Sequence, residues 1–143
     1  MVPGSSVAER QDTSTSLPPE AQKTPPHKAQ YPGLPTTCDG SETVVHVEIN
    51  VSQGAGAFPI TSSTNMGGGY NAPVMNGYRN LCGDLLLFVE PESEHSAASF
   101  CEGFAAAGGR VTNFTSGQGL VLMKEVLYTI AGKRLPVVMN IGA

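Results

Sequence analysis

The residue types best suited to chemistry lie in one short segment, where Glu90, Glu92, Glu94 and His95 separate an apolar run from an alanine-rich one. The run, residues 84–89, is too continuously apolar for a half-exposed strand and predicts one buried on both faces, as in a parallel sheet. Ligands of such sheets bind at the carboxyl ends of the strands. We therefore expect Glu94 at the mouth of a pocket, in the first turn of a helix whose amide dipoles favour its negative charge while burial opposes it.

The histidine beside these acids raises the question of a metal site. Ligands on one helix share a face when they are three or four residues apart, and the adjacent side chains of Glu94 and His95 point apart. We therefore predict no metal ligands and expect one carboxylate to turn into the pocket, while the others stay solvated or cap the helix. From the residues alone, a purely solvated acidic corner stays open as the alternative.

Two glycine-rich segments resemble catalytic or binding loops only weakly. The run from Gly67 to Ala72 matches G-x-G-x-x-A, but it does not directly follow a strand and no Walker lysine completes it, so we predict a flexible connecting loop. Residues 115–119 lie at a predicted strand-to-helix turn, yet Ser116 lacks the flanking glycines of a G-x-S-x-G elbow, which argues against a hydrolase. We expect the glycines there to let the backbone approach a cofactor or a neighbouring subunit closely.

Composition excludes several classes of protein. A chain of 143 residues has room for one domain, and its net charge of −4 with only Lys133 and Arg134 adjacent argues against a nucleic-acid partner. No apolar run approaches the roughly 18 residues that span a bilayer, and no signal peptide is evident, so we expect a soluble cytoplasmic protein without a membrane partner. Cys38, Cys82 and Cys101 are far apart, which is typical of buried or incidental thiols rather than a disulfide framework.

Residues 1–37 are rich in Pro, Ser and Thr and predict a disordered tail, and residues 38–143 predict one domain. Candidate helices and apolar strands alternate in that domain, which indicates an α/β fold with a parallel sheet. An apolar stripe at residues 97–105 predicts a helix that Gly108 ends, and residues 110–114 predict a short strand. Residues 43–51 alternate like an exposed strand but suit a capped helix equally well.

The C-terminal third predicts one more helix and one more strand. Thr115 and Gln118 have the spacing of a capping box, and Leu120, Met123 and residues further along at helical spacing give an apolar face. Plain core packing explains that face. Residues 135–141 predict another buried strand.

Five blocks of the sequence carry a resemblance to a known family. They are Gly56-Ala57-Phe58-Pro59-Ile60-Thr61-Ser62-Ser63, Val89-Glu90 with Ser93-Glu94, Phe114-Thr115-Ser116-Gly117-Gln118-Gly119-Leu120, Ile130-Ala131-Gly132 and Leu135-Pro136. Together they resemble the N-terminal domain of pyruvate:ferredoxin and related 2-oxoacid:acceptor oxidoreductases, over residues 39–143. The resemblance implies the three-layer, parallel-sheet pyrimidine-domain fold that binds thiamine diphosphate, truncated at its C-terminal end, with a helix opening at Asp39.

The resemblance also implies a function. The family decarboxylates a 2-oxoacid such as pyruvate oxidatively to an acyl-CoA, with thiamine diphosphate as cofactor and ferredoxin or flavodoxin as electron acceptor. Glu94 matches the glutamate that hydrogen-bonds N1′ of the aminopyrimidine ring, so it is the expected catalytic and cofactor-binding residue. Thr61 matches the threonine that contacts the substrate carboxylate, and Pro59 and Ile60 in the same block are expected to contribute to cofactor binding.

The chain also departs from the family. Ser62 and Gly68 stand where the family usually has proline and an acid, which leaves the choice of 2-oxoacid open. No Gly-Asp-Gly…Asn segment for diphosphate and Mg²⁺ is present, and no cysteine clusters for iron–sulfur centres, so we expect other domains or subunits of a dimeric assembly to supply them. Ending at Ala143 inside an apolar strand suggests a fragment or a split gene product. Two alternatives remain: a non-catalytic interaction module with this fold, and a small flavodoxin-like cofactor-binding protein.

Overall fold

The segment that the residue pattern left open between strand and helix is helical. Asp39 precedes it, and its carboxylate accepts a hydrogen bond of 2.8 Å from the Glu42 N–H, while the Asp39 N–H donates to the Glu42 carboxylate at 3.0 Å. These reciprocal bonds form a capping box, which satisfies two backbone donors at the start of a helix. The helix implied by the resemblance is therefore confirmed, and the strand-like alternation misleads.

The computed structural model describes residues 33–143, and residues Thr36–Ala143 form one compact unit. The disordered tail predicted for residues 1–37 lies, over residues 1–32, outside the described residues. The elements in chain order are α1 (Gly40–Val51), β1 (Gly54–Ala57), a 3-10 helix (Thr61–Ser63), α2 (Thr64–Met75), β2 (Leu87–Val89), α3 (Glu94–Ala106), β3 (Val111–Ser116), α4 (Gly117–Leu122), α5 (Lys124–Lys133) and β4 (Val137–Gly142). Within the described residues, no helix is long and apolar enough to cross a membrane.

The four strands form one parallel sheet in the order β2-β1-β3-β4. Helices α1 and α2 cover one face, where Met66, Tyr70 and Phe114 form the main core cluster. Helices α3, α4 and α5 cover the other face, where Met123 and Ile130 lie in a second cluster. The three-layer α/β architecture with a parallel sheet is confirmed.

Strand β1 has a different contact on each face because glycine and alanine alternate along it. Ala55 and Ala57 are fully buried in the aromatic cluster beneath α2. Gly54 and Gly56 face α3, and a Cβ added to Gly56 would lie 2.8 Å from the Phe100 ring and 2.9 Å from the Ala97 carbonyl oxygen. Only glycine leaves room for the helix backbone at that distance.

The prediction that the strands at residues 84–89 and 135–141 are buried on both faces is wrong. Both β2 and β4 are edge strands of the described sheet, and Leu87, Val138 and Ile141 are 44%, 40% and 47% exposed. The strand that is buried throughout is β3, which lies between β1 and β4. A continuous apolar run indicates a sheet, but it does not indicate how many neighbours the strand has.

The glycine run at residues 67–69 is not a loop, since it lies inside α2. A Cβ on Gly69 would lie 3.0 Å from Val45 of α1, and a Cβ on Gly67 would lie 3.0 Å from the Pro59 side chain. The two glycines therefore allow close packing of α2 against α1 and against the segment that follows β1. Both the nucleotide-loop interpretation and the flexible-loop prediction are wrong.

The helical stripe predicted before Gly108 is confirmed as the buried face of α3, and Gly108 has a φ of +92° just after that helix. The capping box predicted at Thr115 is wrong by one residue, because Ser116 caps α4 and accepts from the Gly119 N–H at 3.1 Å. The single helix predicted beyond it is two helices, which meet at the fully buried Met123.

Of the three cysteines, one is buried and two are exposed, and all are free.

Candidate functional site

Glu94 is the first residue of α3, directly after the connection from β2. Ser93 caps the helix, because its hydroxyl accepts a hydrogen bond of 3.2 Å from the Ser96 N–H. The Glu94 carboxylate is therefore not needed as the helix cap. It is half-buried at the carboxyl end of the sheet, where the helix dipole favours its charge. The predicted place in the first turn of a helix is confirmed, whereas Glu94 does not line the cavity of about 610 Å³ that the structure contains.

The side chains of Glu92, Glu94 and His95 have different surroundings. The Glu92 carboxylate accepts a hydrogen bond of 2.8 Å from the Ser96 hydroxyl, and its own backbone N–H together with this hydroxyl holds the pKa of Glu92 below its usual value. His95 points towards Glu125 of α5, with 4.0 Å between its Nε2 atom and the carboxylate. Glu94 turns towards the start of α4 instead. Neighbouring side chains thus point apart, as the sequence predicts.

Gly119 is the residue against which Glu94 packs. A Cβ at Gly119 would lie 2.7 Å from the Glu94 Cγ atom and 3.2 Å from its Oε1 atom, and it would overlap the Thr115 hydroxyl oxygen. Thr115 is fully buried in β3, whereas Gly119 is held by the cap from Ser116. The end of β3 and the first turn of α4 therefore form the wall on which the Glu94 side chain lies.

The expectation that the glycines at this turn let the backbone approach a cofactor or a neighbouring subunit stays a prediction. Gly119 does allow a close approach, but the groups that approach are Glu94 and Thr115 of the same chain. Gly117 faces open space, with no atom within 4 Å of an added Cβ. Thr115, whose hydroxyl oxygen lies against Gly119, was not among the residues predicted for the site.

Thr61 follows β1 and has an unusual backbone conformation. Its φ is +52°, in the left-handed region where a β-branched residue is rare. Such a conformation costs on the order of 1–3 kcal/mol and is common at ligand-binding sites. The residues beside it are held tightly, because the Ser63 hydroxyl donates to the Ile60 carbonyl at 2.9 Å and accepts from the Ile60 N–H at 3.2 Å.

The predicted site residues in this segment have different exposures. Pro59 is half-buried against Gly67 of α2, whereas Ile60 is 45% exposed and Thr61 is exposed. The segment lies beyond the carboxyl end of β1, and Glu94 lies beyond the carboxyl end of β2, the neighbouring parallel strand. The structure thus brings Thr61 and Glu94 to the same end of the sheet, that of the carboxyl ends of the strands. Along the chain the two residues are separated by a helix and a strand.

A cavity of about 610 Å³ lies elsewhere, between the first halves of α1 and α2. Val45, Ile49 and Gly68 are among the residues that line it, and none of Pro59, Ile60, Thr61 and Glu94 does. Thr61 and Glu94 lie outside this cavity, beyond the carboxyl ends of two neighbouring strands. Ligand sites commonly lie between domains, so a second domain would complete a site at this position.

Three comparisons with known proteins are consistent with this geometry. The family model described as pyruvate flavodoxin/ferredoxin oxidoreductase, thiamine diphosphate-binding, matches residues 45–143. Pyruvate:ferredoxin oxidoreductase of Moorella thermoacetica is 38% identical over 107 residues, which cover 75% of this chain and 9% of that protein. The pyruvate synthase subunit PorA of Pyrococcus furiosus is 49% identical over 86 residues, which cover 60% of this chain and 20% of that subunit.

A solved structure also matches. It is a 2-oxoglutarate:ferredoxin oxidoreductase from Magnetococcus marinus with 2-oxoglutarate, coenzyme A and succinyl-CoA bound. The TM-score is 0.61 at 25% identity, and the match covers 71% of this chain and 17% of that one. The chain therefore spans a fifth or less of the length of each of these proteins.

Proposed function

The chain belongs to the pyruvate flavodoxin/ferredoxin oxidoreductase family and carries its thiamine diphosphate-binding domain, and from this premise we propose that Glu94 binds the aminopyrimidine ring of the cofactor. We propose further that Thr61 binds the carboxylate of a 2-oxoacid. The assembled enzyme would oxidise a 2-oxoacid of the pyruvate type to an acyl-CoA and pass the electrons to ferredoxin or flavodoxin. The names of the relatives support this reaction class.

The observation that carries the proposal is the position of Glu94. Its carboxylate is half-buried at a helix N-terminus, is not needed as the helix cap, and lies beyond the carboxyl end of a parallel strand. A carboxyl group in that position can donate or accept one hydrogen bond along a fixed direction. The chemistry of this side chain therefore fits a ring nitrogen that exchanges a proton, which is what the aminopyrimidine offers.

The roles that we propose for the chain's own residues come from the family resemblance, and the position of Glu94 supports them. When bound, thiamine diphosphate supplies the carbanion chemistry that cleaves the bond between the carboxylate and the carbonyl carbon of a 2-oxoacid. Glu94 would hold a proton at the ring nitrogen N1′ of the bound cofactor, and its side chain is positioned by contact with Gly119. The Thr61 hydroxyl donates a hydrogen bond to the substrate carboxylate. Pro59 and Ile60 would contribute to binding the cofactor.

Other domains or subunits would complete the site. The described residues contain no group of three or more His, Cys, Asp or Glu side chains that could hold a metal ion. We propose, from the resemblance, that Mg²⁺ for the diphosphate and the iron–sulfur clusters for electron transfer are bound by the remaining parts of the assembly. We propose that this assembly is dimeric and that the partner closes over Glu94 and excludes water from it.

The test is a pair of substitutions in the assembled enzyme. Glu94→Gln keeps the shape of the side chain but removes its acid, so 2-oxoacid-dependent reduction of the electron acceptor should fall by about 10²–10⁴-fold. Glu92→Gln is the matched control, since Glu92 is exposed and bonded to Ser96, and it should keep near-normal activity. Near-normal turnover in Glu94→Gln contradicts the role proposed for Glu94.

A further inference from the structure

The left-handed conformation of Thr61 needs a cause outside Thr61 itself. The hydroxyl of Ser63 fixes Ile60 on one side, through bonds of 2.9 and 3.2 Å to its backbone. On the other side, the Ser62 hydroxyl donates a hydrogen bond of 2.8 Å to the carbonyl oxygen of Gly142, which lies 80 positions further along the chain. This bond joins the segment after β1 to the end of β4, across β3.

Gly142 is closely fitted to this contact. A Cβ at Gly142 would lie 2.8 Å from the Ser62 carbonyl oxygen, 2.9 Å from its Cβ atom and 3.0 Å from its hydroxyl oxygen. These separations are too short for any side chain, so glycine is what allows the carbonyl to reach the serine. Gly142 also pairs with Ser116 at the end of β3, which fixes its place in the sheet.

We propose that Ser62 is a positioning residue, which through its hydrogen bond to Gly142 holds the Thr61 hydroxyl in place for the carboxylate of the 2-oxoacid. The proposal rests on the substrate-binding role proposed for Thr61. Ser62 itself is exposed and touches no reacting atom. Its effect is conformational: it anchors the residue next to a strained backbone to the rigid end of a strand, so that Thr61 does not relax to an extended conformation.

The experiment compares four substitutions in the assembled enzyme. Ser62→Ala removes the hydroxyl that reaches Gly142, and Ser62→Thr keeps a hydroxyl at the same position. Ser99→Ala is the matched control, because Ser99 is also exposed and its hydroxyl also donates to a carbonyl, that of His95 at 2.9 Å, but within one helix. Thr61→Ala reports on the substrate-binding role itself.

Two readouts separate the proposal from its premise. The first is hydrogen exchange at the amides of Ser63 and Thr64, which donate to the carbonyls of Ile60 and Thr61. The second is the pair of kinetic constants for the 2-oxoacid. For Ser62→Ala we expect faster exchange at these amides, and a KM raised by about five- to tenfold with kcat within about twofold, as the loss of one hydrogen bond implies. Ser62→Thr should restore both, and Ser99→Ala should leave both unchanged.

Each contrary result overturns a different statement. Unchanged exchange in Ser62→Ala shows that the segment is held without the bond to Gly142, and the proposal is then wrong. Faster exchange with an unchanged KM, in an enzyme whose KM does rise in Thr61→Ala, shows that the bond has no role in substrate binding. An unchanged KM in Thr61→Ala overturns the role of Thr61 itself, and the positioning role of Ser62 is overturned with it, while the exchange data still decide whether the anchor exists.

Discussion

The two faces of β1 are packed in different ways, although the strand is only four residues long. On one face, Ala55 and Ala57 lie against Tyr70 and other large side chains of the core cluster. On the other, Gly56 lies against the backbone of α3, whose Ala97 carbonyl oxygen would be 2.9 Å from an added Cβ. Side chains can change rotamer when a neighbour changes, but a helix backbone cannot. The glycine face therefore fixes the position of α3, and with it the position of Glu94.

Substituting each face in turn tests this difference, and the largest effect is expected at Gly56. Gly56→Ala should lower the free energy of unfolding by about 3 kcal/mol, because the methyl group meets a carbonyl oxygen, a ring and the Cys101 sulfur at once. Thermal unfolding followed by circular dichroism measures this change. Gly68→Ala is the control: it lies in α2 with no atom within 4 Å of an added Cβ, and should stabilise the chain by about 1 kcal/mol. Equal effects of the two variants would contradict the distinction.

The second test concerns the tight packing of Glu94 against Gly119 at the candidate site. Gly119→Ala should push Glu94 and Thr115 away from α4, and a displacement of about 1 Å should lower turnover of the assembled enzyme by about 100-fold. Gly117→Ala, two residues earlier, adds the same methyl group into open space and should keep turnover within about threefold, since nothing is displaced. Steady-state kinetics with the 2-oxoacid measures both. Similar turnover in the two variants would show that the wall does not position Glu94.

A smaller effect is expected on the aromatic face of β1, the face on which Ala55 and Ala57 lie against Tyr70. Tyr70 is buried, and its hydroxyl forms a hydrogen bond of 2.8 Å with the Ser52 hydroxyl, which also donates to the Glu48 carbonyl at 2.7 Å. Tyr70→Phe removes one bond and keeps the ring, so the free energy of unfolding should fall by about 1 kcal/mol. Urea unfolding measures it. A loss as large as that in Gly56→Ala would mean that the aromatic face is the less tolerant one.

A further test is the dependence of stability on pH. Burial raises the pKa of the Cys101 thiol, on the glycine face, to about 12 from an ordinary value of 9.0. The folded chain therefore keeps this proton where the unfolded chain loses it, so the stabilisation is complete below about pH 9 and is lost as the pH rises towards 12. Cys101→Ala should flatten the fall of unfolding free energy between pH 9 and 11, measured by urea titration at each pH. An unchanged slope would show that Cys101 does not titrate on unfolding.

Burial likewise raises the pKa of Tyr70, on the aromatic face, from 10.0 to about 12. Its contribution has the same sign and is lost over a narrower range, above about pH 10. Tyr70→Phe should therefore flatten the slope only above pH 10, and this later onset distinguishes the two faces in one set of titrations. The same onset in both variants would contradict the assignment.

Much of the fold could be predicted from the sequence, and the errors have physical causes. The parallel sheet, α3 with its buried stripe and the position of Glu94 follow from local patterns, because period and capping are local properties. The edge positions of β2 and β4 could not be predicted, since they depend on which strands pair. The local pattern predicts a loop at the glycines of α2. Two tertiary contacts explain why they lie in a helix, that of Gly69 with Val45 and that of Gly67 with Pro59.

The candidate site likewise has some residues that local pattern predicts and others that depend on tertiary contacts. Glu94 could be named as a candidate from its type and its place after an apolar run, with a solvated acidic corner as the alternative, whereas Thr61 was named only through the resemblance. Ser62 and Gly142 are 80 positions apart, and no spacing rule connects them. A contact between the ends of two strands becomes visible only when the order of the strands is known.

The strand order has a consequence for how the chain is made. Strand β1 is the first to be synthesised, but both of its neighbours, β2 and β3, come later in the chain. The backbone N–H and C=O groups of β1 therefore stay unpaired until β2 and then β3 have left the ribosome. Pairing with β3 comes later, because the chain between β1 and β3 is longer than the chain between β1 and β2. A nascent chain that stalls before β3 would present an unpaired Gly-Ala strand. The small side chains of that strand give other chains little apolar surface to bind, which limits aggregation during this interval.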